Sequence, residues 1–150
     1  MTATPEDLRL EVVVRAELEM GRAELESVGL SGTTIRMSRH PRTDAMSFEF
    51  GARYPGCPDR DVYATIEIDP RRLGWDLEAT LHEYPDTEDH DQEVCGLGGA
   101  RVEGIDSAAD FAGSLAAAAW AAVRDYVIGG CRAQGMSAMV VADPMSAPGT

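Results

Sequence analysis

Residues 107–128 read SAADFAGSLAAAAWAAVRDYVI, and this stretch decides how the remainder of the chain is read. At 100° per residue, Phe111, Leu115, Ala119, Trp120, Val123, Tyr126 and Val127 share one arc, while Asp110, Ser114, Arg124 and Asp125 fall opposite. Ser107 offers a hydroxyl to cap the first turn, and Asp106 and Asp110 put negative charge at the positive end of the helix dipole. Gly129-Gly130 predicts the C-terminal stop, since glycine takes the left-handed conformation without a Cβ clash. The alanine run 116–119 leaves little bulk on the helix, so it can lie close against a sheet.

Upstream, the apolar residues alternate instead. Thr33, Ile35 and Met37 form one such set, and Met46, Phe48 and Phe50 the next. Val62, Ala64, Ile66 and Ile68 follow, then Trp75, Leu77, Ala79 and Leu81, with a weaker strand over 94–103. Prolines and glycine mark 54–61 as a loop, and 82–93 is an acidic loop. Near the N-terminus, Thr4-Pro5-Glu6-Asp7 has the form of a helix start. Yet Leu8, Leu10, Val12, Val14, Ala16, Leu18 and Met20 also alternate, and Glu17 and Gly21 would interrupt a helical stripe. The period favours a strand over 8–20, with Gly21-Arg22 as a hairpin turn and the alternation continuing through Ala23, Leu25 and Ser27.

These readings predict an α+β fold: an antiparallel meander of six to eight strands with one C-terminal helix, about 107–128, packed on it. Residues 1–130 form a single domain, and 131–150 a tail that is flexible or adds an edge strand. One helix roughly 10 Å across cannot cover so wide a sheet. The uncovered part is expected to curl around the helix, pair with a second copy, or bind a partner.

The formal net charge is −13, from 26 acidic and 13 basic residues, which disfavours nucleic acid and anionic membranes. There is no lysine and no asparagine, the residues with AT-rich codons, so a high-GC, actinobacterial source is expected. Without lysine, no Schiff base or P-loop lysine is available. Cys57, Cys95 and Cys131 lie far apart with no CxxC spacing, so neither a disulfide framework nor a zinc ribbon is expected. The stretch MTATPEDLRL has no apolar core of a signal peptide, which predicts a soluble cytoplasmic protein.

The stretch GLGGARVEGIDSAADFAGSLAAAAW, 96–120, resembles a segment of small uncharacterised actinobacterial proteins in which a strand leads through G-[VI]-D-S into an alanine- and leucine-rich helix. Gly104-Ile105-Asp106-Ser107 matches that junction. The resemblance implies a sheet with a C-terminal helix and a bacterial source; it implies no activity.

The acidic loop is the main candidate site. His82, Glu83, Asp86, Glu88, Asp89, His90, Asp91 and Glu93 crowd together. Their spacing matches neither an EF-hand nor HExxH, so His82 and His90 are weak metal candidates, and no cofactor is expected. A solvated loop in which Asp86, Glu88, Asp89 and Asp91 attract an arginine-rich partner needs no special geometry. Cys57, in PGCPD, has no neighbour in sequence that would lower its pKa. Cys95 reads as core, GLGG 96–99 as a turn or bulge, and Trp75 and Trp120 as core or rim aromatics. No nucleophile motif such as GxSxG is present.

The expected function is a non-catalytic, acidic protein-binding module for a basic bacterial partner, of the immunity-protein or chaperone kind. The alternative is a small ligand-binding protein or enzyme with a pocket between helix and sheet.

Overall fold

A computed structural model describes residues 4–54, 57–84 and 92–133. In chain order these form α1 (Pro5–Ser27), β1 (Ser31–Arg39), β2 (Met46–Tyr54), β3 (Cys57–Arg71), β4 (Gly74–Tyr84), β5 (Gln92–Val102) and α2 (Ile105–Ala133). The five strands make one antiparallel sheet in the order β1-β2-β3-β4-β5. The α+β class, the meander and the C-terminal helix agree with the sequence reading, whereas the sheet has five strands instead of six to eight.

The missing strands are α1. Positions 8–20 and 23–29, read as strands, lie in this helix or just past its end. Thr4 closes a capping box: its Oγ1 accepts from the Asp7 N–H at 3.0 Å, and its own N–H donates to Asp7 Oδ2 at 3.5 Å. Pro5 follows where its missing N–H costs nothing. On a helix, the period-two residues split into two rows with i,i+4 spacing on opposite faces. Leu10, Val14 and Leu18 point inward and are fully buried, continued by Gly21 and Leu25. Leu8, Val12, Ala16 and Met20 point outward. Gly21, which interrupts the apolar pattern in sequence, is the point of closest approach to α2.

The strand faces follow the alternation. Met46, Phe48 and Phe50, then Val62 to Ile68 at every second residue, then Trp75, Leu77, Ala79 and Leu81 are all buried beneath the helices. α2 crosses β2 to β5, and α1 lies beside it over β1. The two helices run in the same direction. Arg9 meets Asp106 at 2.7 Å near their starts, Val13 faces Gly113, and Gly21 faces Trp120. Together they cover the apolar face of the sheet, so the shortage of cover expected for a single helix is met by α1.

α2 is longer than its sequence signals. Its first turn closes with the Ala108 N–H donating to the Gly104 carbonyl at 2.8 Å, ahead of the expected cap at Ser107. Gly129 and Gly130 lie within the helix, and Gly129 is buried. A glycine costs about 1 kcal/mol in a helix interior, less than packing along the sheet returns. Pairing also shortens two expected loops. β2 and β3 remain paired to Tyr54 opposite Cys57, past a register shift after Arg53, His82 to Tyr84 belong to β4, and Gln92 and Glu93 belong to β5. No described helix is long and apolar enough to cross a membrane.

Candidate functional site

Both helices pack on one face of the sheet, which leaves the outward residues of all five strands on the other. That open face is polar. From β1 to β5 its rows read Ser38–Ser47–Glu67–Glu78–Gly99, then Arg36–Glu49–Thr65–Thr80–Gly96, then Thr34–Gly51–Tyr63–His82–Glu93.

Two of the cross-strand pairs between β3 and β4 bring like charges together, Glu67 opposite Glu78 and Asp69 opposite Asp76. Directly opposed like charges destabilise a sheet unless something neutralises them. Arg71 and Arg101 do this for the aspartates. Arg71 reaches Asp69 at 2.9 Å and Asp76 at 2.6 Å, and Arg101 reaches the other oxygen of Asp76 at 2.8 Å. The hydrogen bonds from Arg101 and then Arg71 hold the Asp76 carboxyl at about 2, below its ordinary 3.8. Glu67 and Glu78 are exposed and have no ion-pair partner among the described residues. Beside them lies an open hollow of about 450 Å³ that also reaches Asp69 and Asp76. Its far side is backbone, because β5 carries Gly96, Gly98 and Gly99 there. Gly98 has a φ of +138°, and the β4–β5 register shifts between Ala79 and Thr80, so the GLGG run is a bulged strand.

The Asp76 clamp makes a prediction with a definite sign. A carboxylate depressed in the fold adds stability that is present above its unfolded value and lost as the pH falls through the folded one. The window here runs from about pH 4 to about 2. Asp76→Asn should lack that part of the acid-induced fall in Tm. The effect is expected to be small because the group faces solvent. A variant whose melting profile from pH 5 to 2 parallels the parent's would show the clamp to be energetically silent.

His82 sits on this face near the end of β4. Its ring stacks on Tyr63 with centroids 5.0 Å apart and planes 13° apart, and its Nε2 lies 3.2 Å from Thr65 Oγ1. No group of three or more His, Cys, Asp or Glu that could hold a metal occurs among the described residues. Glu83, the next residue, points the other way. It is buried under α2 and accepts from the Tyr126 hydroxyl at 3.1 Å. Asp86, Glu88, Asp89, His90 and Asp91 lie outside the described residues, as does the tail from 134.

Cys95 faces inward and is half-buried. Burial, and then the charge of Glu93, push its thiol up, the reverse of what a nucleophile needs. Cys57 opens β3 opposite Tyr54. Trp75 is core, and its Nε1 donates at 3.4 Å to the buried carboxylate of Asp7, the same group that caps α1. Trp120 is half-buried under the Arg124 guanidinium.

The acid-rich hairpin is not legible in the sequence reading, which carries the β3 alternation only to Ile68, just before Pro70. Pro70 in fact pairs with Trp75 across a turn at Arg72-Leu73. Carrying the alternation through that proline would have set Glu67 and Asp69 against Glu78 and Asp76. The outer row of α1 was missed with α1 itself. It accounts for Leu8, Val12 and Met20 among the exposed large apolar residues, at 49%, 65% and 65% exposure, with Val28 just beyond the helix.

Compared with known proteins, the chain matches no family model, no curated protein and no solved structure.

Proposed function

We propose that this protein is a non-catalytic, acidic binding module that holds a basic bacterial protein, in the manner of an immunity protein or a chaperone. The observation that carries the reading is the helix-free face of the sheet, where Glu67 and Glu78 oppose one another with no ion-pair partner among the described residues. An arginine or lysine of a partner, entering the adjacent hollow, relieves that repulsion, and the glycines of β5 leave room for its stem. The net charge of −13 attracts such a partner from a distance. Asp86, Glu88, Asp89 and Asp91, in the segment that joins β4 to β5 in sequence, add steering.

The two sets of carboxylates divide the kinetics. Solvated charges mainly raise the association rate and are screened over about 8–10 Å at physiological salt. A charge pair that closes over the sheet slows dissociation. With a partner co-purified from the native host, replacing Asp86, Glu88, Asp89 and Asp91 by serine should slow association severalfold at low salt and change dissociation less. Glu67→Gln with Glu78→Gln should mainly speed dissociation. Association indifferent both to salt and to the serine replacements would remove the electrostatic reading.

A further inference from the structure

We infer that two copies of this chain associate through the outward row of α1, as an antiparallel helix pair centred on Ala16. A helix with apolar residues on both faces is normally covered on both, and α1 is covered on one. Leu8, Val12, Ala16 and Met20 follow one another at i,i+4 spacing on the solvent side. Their exposed surface, with Val28, is on the order of 400 Å², close to the apolar share of the roughly 800 Å² per partner that a standard interface buries.

The charges beside the row select the occupant. Glu11, Arg15, Glu19 and Arg22 alternate along one flank, and Arg9 and Glu24 lie on the other. Turned antiparallel about Ala16, a second copy sets Leu8 near Ala23, Val12 near Met20 and Ala16 on Ala16. The same register sets Glu11 near Arg22, Arg15 near Glu19 and Arg9 near Glu24. Every flanking charge named meets its opposite, and the small side chain of Ala16 lets the helix axes approach where they cross. Arg9, Glu11, Arg15, Glu19 and Arg22 also form ion pairs within the chain at 2.7–3.8 Å, Arg9 with Asp106, Arg15 with Glu11, and Arg22 with Glu19 and Glu26. The open face of the sheet suits a copy less well, because it would present Glu67, Glu78 and Glu49 to the same carboxylates.

Sedimentation equilibrium of the full chain, from low to high micromolar concentration, tests this. The expected species is twice the 16.1 kDa monomer. Val12→Asp should weaken the dimer at least 100-fold with the circular dichroism spectrum unchanged, since Val12 is exposed in the monomer. Arg15→Glu and Glu19→Arg should each weaken it about tenfold, and the two variants mixed should pair with each other, because antiparallel packing sets position 15 of one copy against position 19 of the other. A monomer across the whole range would overturn the inference, and so would a dimer indifferent to Val12→Asp or single variants that do not pair when mixed. Neither result bears on the open face, whose partner is read by association and dissociation rates.

Discussion

Val14→Asp is expected to unfold the domain, while the same change two residues earlier, Val12→Asp, leaves it folded. Val14 is fully buried between α1 and the core, while the guanidinium groups of Arg9, Arg15 and Arg22 on the same helix pair with carboxylates outside. A carboxylate at position 14 is either ionised without a partner or protonated with its hydrogen bonds unmade. Either costs more than about 4 kcal/mol, a large part of the 5–15 kcal/mol that holds a domain together. Val12 is 65% exposed, so its replacement should stay within about 1 kcal/mol of the parent. Urea unfolding followed by circular dichroism, at concentrations too low for self-association to add stability, separates the two. A strand over 8–20 would put both valines on one face and make the two variants equally damaging. Equal midpoints would therefore remove α1.

The second large effect is at Gly21. In an open helix interior, glycine to alanine stabilises by about 1 kcal/mol. Here a Cβ would stand 2.2 Å from Trp120 Cγ and 2.5 Å from Trp120 Cβ. Those atoms lie at the root of the indole side chain, so the ring cannot swing aside without moving α2. Gly21→Ala is expected to lose about 2–3 kcal/mol, reversing the sign of the helix-propensity effect, and Gly21→Val more. Trp120→Ala should cost stability alone, by removing packing beneath Arg124, yet restore part of what Gly21→Ala loses. A double-mutant cycle should then show coupling well above 0.5 kcal/mol. If Gly21→Ala raised the urea midpoint, the close crossing of α1 and α2 would be wrong.

The two predictions bear on the parts of the fold that sequence reads least well. α2 was legible because alanine, leucine and aromatic residues repeat at 3.6 and no other periodicity fits them. The buried faces of β2, β3 and β4 were legible because Phe48, Ile66 and Leu77 sit in strict alternation with Glu49, Glu67 and Glu78, and only one face of such a strand can be buried. Cys95 faces inward, as its reading as core expects, and GLGG 96–99, read as a turn or bulge, lies in a bulged strand. The candidate site was less legible. Its carboxylates are plain in sequence, but their opposition depends on a register carried through Pro70, and the clamp on Asp76 brings in Arg101 from β5.

α1 was settled by the tertiary structure. Apolar residues at every even position from 8 to 20 are consistent with one strand face or with two helical rows on opposite sides, and local periodicity does not separate these. The Thr4–Asp7 capping box is a local vote for helix, and the sheet casts the deciding one. The inward-facing rows of five strands cannot be covered by a single alanine-rich helix, so a second helix is needed beside it. Leu10, Val14, Leu18 and Leu25 bury there as a strand added to the edge would not, and Gly21 lets the helix lie against Trp120. The sequence by itself determined which residues of the central strands and of α2 avoid water. Which of the two rows of α1 does so, and which is left outward for another molecule, followed only from the surface already waiting to be covered.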